Sequence, residues 1–360
     1  MLDTEILIIG GGPAGATLAF YLAKAGIKTI LIQRNMHFKK PCGGGIRLDS
    51  FEEFDIDITL IKHYVKNIAL VHKKEQVDVD ISSMPIAIVD RISFDIALRE
   101  KAEVNGAELV EGTFVSSHVE DGHRVTKVKV SGEVKEITSE YLVGADGVNS
   151  KVRKSINGDE VSALLTQYID VETTGTQSCS FHFGSDVAGK YYAWSFPHAN
   201  GLNIGTLAEK NRPYMQNLCD NLQIELETKV LGYKIPHYSK PLFYRDKVFF
   251  VGDSAEQVLP FTYEGIYYAM SSAKILAESI IAKEVPTQYE KRWRQKYETK
   301  FQVLASLQKI FLRNDFMISV MMRMYKNPKV QKKMLSLWLG KQEIQLNGHF
   351  FLSAFKSLWR

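Results

Sequence analysis

The first stretch whose residues could do chemistry is glycine-rich and lies near the N-terminus: GGGPAG at residues 10–15. In a dinucleotide-binding turn, the first glycine permits a tight bend, the second lets the backbone approach a pyrophosphate, and the third lets a helix pack closely on a strand. Gly10, Gly12 and Gly15 have this spacing, after an apolar run and before a helical pattern. The residues therefore predict that a pyrophosphate binds at the N-terminus of that helix.

The position that usually holds the ribose of such a nucleotide is not acidic in this chain. An aspartate or glutamate is expected about twenty residues after the glycines, but Gln33 stands there, followed by Arg34. Loss of the acid together with a neighbouring arginine is one way to accommodate the 2′-phosphate of NADP. Gln33 can still bond a ribose hydroxyl as a neutral group. These two residues leave the choice between FAD and NADP open.

A cysteine stands in front of three glycines in KPCGGG, residues 40–45, after the second predicted strand. Turn geometry alone explains the glycines in one interpretation. In the other, which we prefer, Gly43 and Gly44 let the backbone pass close to a cofactor ring that the Cys42 thiol faces. A thiol there could assist a proton transfer. Nucleophilic or disulfide chemistry needs a partner, and no motif links either of the other two cysteines to this one.

Aromatic residues alternate along a later segment, YYAWSFP at residues 191–197. Tyr192, Trp194 and Phe196 have the spacing i, i+2, i+4, so a β-strand places their three rings on one face. Phe181 and Phe183 repeat the pattern on a neighbouring predicted strand. Such a face can line a slot for a long apolar ligand, or it can simply pack against the nucleotide-binding part. The residues alone favour packing.

The elements that must position these residues begin with a strand, a tight turn, a helix and a second strand. This βαβ start consists, in chain order, of the stretches EILIIG, GGPAG, ATLAFYLAKAG and KTILIQ. It predicts a parallel sheet. Residues 67–90 alternate like strands, and residues 94–105 are helical by period. Residues 160–240 show the alternation of a half-buried antiparallel sheet, and everything after Pro286 has a helical pattern.

We therefore predict an α/β protein, α+β overall, in which a Rossmann-type nucleotide-binding domain is interrupted by an inserted antiparallel-sheet domain. The discontinuous nucleotide-binding domain comprises residues 1–160 and 240–285, with strand insertions near residues 45–90. The substrate or cap domain comprises residues 161–239. A C-terminal helical region follows at residues 286–360.

Composition and charge indicate a globular protein with no nucleic-acid partner. Of 360 residues, 45% are apolar and 24% are charged, and the net charge of +4 is too small to argue for nucleic acid. The three cysteines form neither a metal-ligand spacing nor a disulfide framework, so no metal site is expected. Together with the absence of a signal-peptide pattern, they predict a cytoplasmic location.

The C-terminal residues 326–360 combine seven Lys or Arg residues with one acid and many large apolar residues. A segment of this kind can lie peripherally at an anionic membrane surface. It can equally form a pair of helices that packs on the body with a solvated basic face, and both interpretations stay open. The apolar residues are Met334, Leu335, Leu337, Trp338, Leu339, Phe350, Phe351, Leu352 and Trp359.

Three further stretches resemble FAD enzymes of the para-hydroxybenzoate hydroxylase type. They are DRISFD at residues 90–95, GADGVNSKVR at 144–153 and VFFVGDSAEQVLPFTYEGIYYAM at 248–270. The resemblance implies FAD rather than NADP, with Asp253 on the ribityl chain and a helix N-terminus directed at the flavin pyrimidine ring. The residues then expected to bind FAD are Gly10, Gly12, Pro13, Ala14, Gly15, Gln33, Arg34, Cys42, Gly43, Gly44, Arg91, Asp146, Gly147, Gly252, Asp253, Gly265 and Ile266.

The cysteine loop and the aromatic segment both resemble the geranylgeranyl reductase family, flavoproteins that saturate double bonds of isoprenoid chains. The strand pattern of that family is Pro-x-x-Tyr-x-Trp-x-Phe-Pro. It is matched here at Tyr192, Trp194, Phe196 and Pro197, with the first proline missing. The resemblance reverses the interpretation of the aromatic segment, because it implies that these residues bind a long apolar substrate. It also implies that Cys42 faces the flavin, as a candidate catalytic residue.

The implied activity is an FAD-dependent reduction of a double bond in an isoprenoid or prenylated lipid, with hydride from reduced flavin. Transiently bound NAD(P)H and a small electron-transfer protein are both candidate electron donors, because the sequence has no second dinucleotide fingerprint. One alternative is an NAD(P)H-dependent flavin monooxygenase, which shares the FAD motifs. Another is a flavin- or lipid-binding protein without catalytic activity.

The chain departs from the FAD motifs at Glu256 and Tyr263, which stand where glycine is common. Near a flavin, the charge of Glu256 could alter the reduction potential. We expect instead that this side chain faces solvent.

Overall fold

The computed structural model describes residues 2–173, 179–198, 201–226 and 229–340. Its strands, in chain order, are β1 (Leu2–Ile9), β2 (Thr29–Gln33), β3 (Gly45–Arg47), β4 (Ile61–Val65), β5 (Asn67–His72), β6 (Glu75–Asp80), β7 (Ile86–Val89), β8 (Glu108–Glu111), β9 (Thr113–Glu120), β10 (His123–Val130), β11 (Glu133–Gly144), β12 (Ala163–Glu172), β13 (Cys179–Phe183), β14 (Ala193–His198), β15 (Gly201–Leu207), β16 (Leu231–Pro236), β17 (Tyr244–Arg245) and β18 (Val248–Phe250).

The helices, in chain order, are α1 (Pro13–Lys24), α2 (Ser50–Glu53), α3 (Arg91–Val104), α4 (Lys151–Asn157), α5 (Tyr214–Leu222), α6 (Ile266–Ile281), α7 (Thr287–Trp293), α8 (Thr299–Phe311), α9 (Asp315–Tyr325) and α10 (Pro328–Leu339). A π-helical turn, Arg294–Glu298, joins α7 to α8. None of the described helices is both long enough and apolar enough to span a bilayer.

The first sheet is built around the predicted βαβ start. Its strand order is β17-β18-β11-β1-β2-β8, and β10 folds back on β11 with β9 beside it. β1 pairs in parallel with both β2 and β11, and residues 6–9 are buried, as expected for a central strand of a parallel sheet. Helix α1 packs against α3 and α6. The predicted α/β fold class is confirmed.

The second sheet has the strand order β16-β12-β15-β14-β13-β5-β6. Its pairs are antiparallel except for β13 with β5. The hairpin β5–β6 therefore completes this sheet, although the sequence grouped residues 67–80 with the nucleotide-binding domain. Val77 and Val79 of β6 are buried, and α9 packs on both strands of the hairpin. Long-range pairing with β13, which no local pattern reveals, decides the position of the hairpin.

The C-terminal helices are packed into the body of the protein. Their buried side chains include one face of α8 and three leucines of α10: Phe301, Leu304, Leu307, Phe311, Leu335, Leu337 and Leu339. Within the described residues, the alternating apolar positions of α10 thus belong to the core. The other predicted membrane residues, Phe350, Phe351, Leu352 and Trp359, lie outside the described residues.

Glu256 does not face solvent, and this expectation was wrong. Only 1% of the residue is exposed, and its carboxylate lies 3.1 Å from the guanidinium of Arg153, which is equally buried. The same carboxylate accepts hydrogen bonds from the backbone N–H groups of Ser162 and Lys240, at 2.9 and 2.8 Å. Ser162 directly precedes β12, and Lys240 follows β16, so the two residues flank the segment that carries most of the second sheet. Glu256 therefore holds both ends of that segment.

Candidate functional site

A cavity of about 570 Å³ is lined both by the first sheet and by the second. The glycine turn, residues 10–14, lines it together with Asp253. The aromatic segment contributes Tyr192, Trp194 and Phe196 to the same cavity. The structure thus brings the predicted nucleotide-binding residues and the predicted substrate residues to one site, within the size range of small-molecule and cofactor pockets.

The glycine turn leaves room for a pyrophosphate. Gly12 is the N-cap of α1, no side chain caps this helix end in the described structure, and Pro13 occupies the first helical position. A Cβ built on Gly12 would meet no described atom within 4 Å, whereas one on Gly15 would lie 1.8 Å from the carbonyl oxygen of Gly10. Gly15 is therefore required for packing, and Gly12 borders open space at a helix N-terminus, where anions bind. This cradle fits the pyrophosphate of FAD.

Replacing Gly12 with alanine is expected to weaken FAD binding roughly 10- to 100-fold, because the new methyl group occupies the space of the pyrophosphate and displaces hydrogen bonds worth about 1–3 kcal/mol. The unfolding midpoint of the apoprotein should change little. Quenching of FAD fluorescence on titration with apoprotein measures the first quantity, and thermal unfolding the second. Gly15→Ala is the matched comparison and should lower the unfolding midpoint. Unchanged FAD affinity in Gly12→Ala would contradict the assignment of this turn.

Gln33 holds the glycine turn through its side-chain amide. Its Oε1 accepts a hydrogen bond from the Gly11 N–H at 2.8 Å, and its Nε2 donates to the Asn35 carbonyl at 2.8 Å. Arg99, which the sequence did not single out, donates from Nη1 to the Gly11 carbonyl at 2.8 Å. Gln33 and Arg34 both line the cavity. The neutral amide thus holds the backbone of the turn, and contact between Gln33 and a ribose stays a prediction.

Asp253 forms a partly buried ion pair with Lys40, and both residues line the cavity. Only 10% of the Asp253 side chain is exposed. Burial by itself lowers the pKa of Lys40, but the nearby Asp253 carboxylate outweighs it and raises that pKa above its ordinary value. Lys40 was not among the predicted residues, although it directly precedes the Pro-Cys-Gly-Gly-Gly stretch. The pair tethers the cysteine loop to the segment predicted to hold the ribityl chain.

Cys42 is exposed, and its side chain lies beside the buried guanidinium of Arg91. Arg91 forms a bidentate ion pair with Asp95, at 3.1 and 2.8 Å. Burial opposes the charge of Arg91, but Asp95 and then Cys42 favour it, and the pKa of Arg91 is raised. The Cys42 sulfur accepts a weak hydrogen bond from the Gly44 N–H at 3.4 Å. Both Cys42 and Arg91 line the cavity.

Four of the predicted binding residues lie behind the cavity wall instead of on it: Gly15, Gly44, Gly252 and Pro197. The glycines among them are in close packing contact. A Cβ on Gly44 would lie 2.3 Å from the Val89 carbonyl oxygen, and one on Gly252 would lie 3.1 Å from the Cβ atoms of Ala14 and Ala269. These residues shape the site without reaching its surface. Asp146 is on the wall, but its carboxylate caps α4, accepting from Lys151 N at 2.8 Å.

Tyr192, Trp194 and Phe196, with Phe181 beside them, form an aromatic wall of the cavity in which the polar atoms are hydrogen-bonded. Tyr192 donates from its hydroxyl to the Thr262 carbonyl at 2.6 Å, and Trp194 donates from Nε1 to Asn203 Oδ1 at 2.7 Å. The Phe181 ring lies edge-on, with its centroid 5.2 Å from that of Tyr192 and 5.1 Å from that of Phe196. A surface with bonded polar atoms and exposed ring faces suits a hydrocarbon chain.

The cysteine loop packs directly against this wall. A Cβ on Gly43 would lie 2.3 Å from Cδ2 of Phe196. A side chain at this position would therefore push the loop and the ring apart. The close approach of the loop to the aromatic wall explains why residue 43 is a glycine. This contact joins the predicted cofactor-binding residues to the predicted substrate-binding residues.

Further cavity residues come from places that the sequence did not single out. Arg47 of β3, Glu264 just before α6, and Trp338 and Leu339 of α10 all line the cavity. Trp338 was predicted only as part of a basic and apolar tail. Glu264 carried a visible signal, since it is the one charged residue of the stretch LPFTYEGIYY. The position of Trp338 could not be inferred, because it depends on how helices α7 to α10 fold back on the body.

Comparison with known proteins identifies the family of this chain. A family described as "FAD binding domain" matches residues 3–221. Geranylgeranyl diphosphate reductase of Synechocystis sp. is 30% identical, over 95% of this chain and 94% of its own length. Digeranylgeranylglycerophospholipid reductase of Methanocaldococcus jannaschii is 26% identical, over 81% of this chain and 83% of its own.

A solved structure shares the complete fold. It is a geranylgeranyl bacteriochlorophyll reductase-like protein from Thermoplasma acidophilum, with a TM-score of 0.82 at 20% identity over 99% of this chain and 100% of that one. The family match covers the glycine turn and most of the second sheet, and the match to the Synechocystis protein extends over nearly the whole chain. The chain therefore belongs to the geranylgeranyl reductase family of FAD-binding oxidoreductases.

Proposed function

We propose that this protein is an FAD-dependent reductase that saturates carbon–carbon double bonds of an isoprenoid chain. The observation that carries the proposal is the shared cavity, in which the glycine turn and the aromatic wall meet. The names of its relatives support a prenyl diphosphate or a prenylated lipid as the substrate class. In this proposal, residues 161–239 together with the β5–β6 hairpin form the substrate-binding part.

FAD, when bound, supplies the hydride. The residues of this chain bind and orient both molecules. The uncapped N-terminus of α1 receives the pyrophosphate, Asp253 receives the ribityl chain, and the N-terminus of α6 at Gly265 favours negative charge on the pyrimidine ring. Tyr192, whose hydroxyl is bonded to backbone, presents its ring to the isoprenoid chain. The apolar wall excludes water and holds a double bond near the cofactor.

The proposal is tested with purified, FAD-loaded protein that is reduced with dithionite under argon and mixed with geranylgeranyl diphosphate. Mass spectrometry of the lipid is expected to show a gain of two hydrogens, or of a multiple of two, and no oxygen. A parallel reaction in air with NADPH is the control for the monooxygenase alternative. Oxygen gained only in air would establish that alternative. If the lipid is bound but unchanged in both reactions, a prenylated glycerophospholipid is tested next. If that lipid is also bound and unchanged, a non-catalytic binding protein is favoured.

The electron donor belongs to the same proposal. The sequence has no second dinucleotide fingerprint, so NAD(P)H is expected to bind only transiently beside the flavin, unless a small electron-transfer protein replaces it. Anaerobic stopped-flow mixing with NADPH separates the two donors. Bleaching of the flavin absorbance with a saturable dependence on NADPH supports direct reduction, whereas an unchanged spectrum assigns the electrons to a protein donor.

We further propose that the C-terminal region contacts the membrane in which prenylated lipids reside. The end of α8 exposes Ile310 (45%) and Lys309, the start of α9 exposes Phe316 (72%), and the turn between the two helices exposes Arg313. Such a mixture of basic and apolar side chains binds anionic bilayers. The double variant Ile310→Ser, Phe316→Ser is expected to bind anionic vesicles at least about tenfold more weakly in a sedimentation assay, because its apolar side chains are lost. Val104→Ser, at an exposed site on α3, is the control; equal losses in both variants would contradict the proposal.

A further inference from the structure

Glu264 is a buried carboxylate that the site described above leaves without a role. It lines the cavity one residue before Gly265, the N-cap of α6. Both of its carboxylate oxygens are sealed from solvent, and neither has a hydrogen-bond partner among the described residues. A buried carboxylate is costly unless it is paired or protonated. This position in the cavity is therefore suited to a neutral carboxylic acid.

The charged groups around Glu264 are mostly bonded elsewhere. Arg47 of β3 donates from Nη2 to Asp49 at 2.8 Å, and its guanidinium lies 4.3 Å from the ring centroid of Tyr267. Lys300 of α8 donates to the Gly340 carbonyl at 2.7 Å. The cations near the carboxylate therefore do not form a bonded pair with it.

The other neighbours of Glu264 are the Tyr268 hydroxyl on α6 and the Trp338 indole N–H on α10. The indole N–H lies near enough to favour the charged carboxylate and so to lower the pKa of Glu264, although it makes no hydrogen bond of ordinary geometry among the described residues. Burial raises the pKa of Glu264 to about 7, although Arg47 and Lys300 act in the opposite direction and Asp49 adds to the increase. Burial also lowers the pKa of Lys300, to about 8, and Arg47 adds to that effect. The surroundings thus allow Glu264 to hold a proton near neutral pH and to release it.

We propose that Glu264, as a carboxylic acid, donates the proton that completes the reduction of the isoprenoid double bond. This inference rests on the proposed function and deepens it. Glu264 is among the residues that line the cavity shared with the aromatic wall, and protein atoms cover its carboxylate oxygens. Proton transfer to a bound chain therefore requires the Glu264 side chain to turn toward the cavity. A general acid acts best when its pKa is near the working pH.

The proton and the hydride add across one double bond. Reduced FAD, when bound, would supply the hydride, with its electron pair, to one alkene carbon. The π electrons form a C–H bond at the other carbon with the proton of the Glu264 O–H. The alkene is reduced, the flavin is oxidised, and Glu264 is left as a carboxylate that regains a proton from solvent before the next turnover.

Single-turnover flavin reoxidation under argon, with geranylgeranyl diphosphate as the probe, tests the step. Glu264→Gln is expected to lower the rate roughly 100-fold, and Glu264→Asp, which keeps an acid, to recover part of it. The rate of the unsubstituted protein should fall above a pH of about 7, where Glu264 loses its proton, while the slow rate of Glu264→Gln should not follow that titration. Glu103→Gln, at an exposed site on α3, is the control and should react like the unsubstituted protein.

A second measurement needs neither FAD nor substrate. The folded protein holds the Glu264 proton up to a pH of about 7, against an ordinary value of 4.5, so the folded state binds more protons than the unfolded state in this range. Stability is therefore lost as the pH rises through this window. Relative to Glu264→Gln, the unfolding equilibrium constant of the apoprotein should increase up to about tenfold per pH unit.

The outcomes separate the two proposals. A titrating difference in apoprotein stability together with a slow Glu264→Gln reaction supports Glu264 as the proton donor. The donor role is overturned if the stability of the unsubstituted protein and that of Glu264→Gln depend on pH in the same way. It is also overturned if Glu264→Gln reacts at an unchanged rate, even when the unsubstituted protein reduces the lipid. Failure of the unsubstituted protein to reduce any prenyl substrate overturns the proposed function, and with it the donor role.

Discussion

Replacing Glu256 with glutamine is expected to lower the free energy of unfolding by up to about 3–5 kcal/mol, because it leaves the buried Arg153 with only the half-exposed Asp159 as a counter-charge. Arg153 lies 3.1 Å from Glu256, with a side-chain exposure of 2%, and its second acidic partner, Asp159, is far more accessible. Glutamine also replaces one acceptor oxygen with an amide that donates. The N–H groups of Ser162 and Lys240 then compete for a single acceptor.

Urea unfolding followed by circular dichroism measures this difference. Glu160→Gln is the matched control, since it removes the same charge from an exposed ion pair with Lys154. Exposed pairs contribute little to stability, so this control should be indistinguishable from the unsubstituted protein. If both variants unfold at the same urea concentration, the buried anchor at Glu256 contributes nothing, and the two ends of the segment that carries most of the second sheet must be held by other contacts.

The parts of the fold that sequence predicts best are those with a local cause. Gly10 requires a positive φ, +106°, and Gly15 allows contact between backbones, so residue type and spacing define the turn by themselves. The parallel βαβ start follows from a continuous apolar run and from helical periodicity over neighbouring residues. The aromatic wall follows from an alternation with period two.

Contacts between distant segments explain what sequence could not predict. Glu256 was expected in solvent because its partners, Arg153, Ser162 and Lys240, are separated from it by up to about a hundred positions and share no motif with it. Trp338 reaches the cavity through the packing of α10, which depends on the path of every helix before it. In the sequence, Glu256 stands at a position where glycine is common, and Trp338 stands within a basic segment. The contacts that explain both residues are formed only in the folded structure.

Replacing Gly44 with alanine is expected to reduce the single-turnover rate about 100-fold, an effect typical of moving groups in an active site by roughly 1 Å. The backbone at Gly44 has φ +69°, and a Cβ there would lie 2.3 Å from the Val89 carbonyl oxygen. Because the clashing atom is backbone, relief requires movement of the loop that carries Cys42 and touches Phe196 through Gly43. Anaerobic flavin reoxidation by a prenyl substrate is the measurement.

Gly45→Ala is the matched control for this prediction, one residue further along the same glycine triplet. A Cβ on Gly45 would lie 3.4 Å from Cγ2 of Ile86, an ordinary contact with the end of a side chain, and its φ is not in the left-handed region. Its rate should therefore stay close to that of the unsubstituted protein. A large loss in Gly44→Ala alone indicates that Gly44 fixes the geometry between the cofactor and the aromatic wall. Equal rates in both variants would mean that the loop tolerates displacement, and that Gly43, against Phe196, is the glycine on which the site depends.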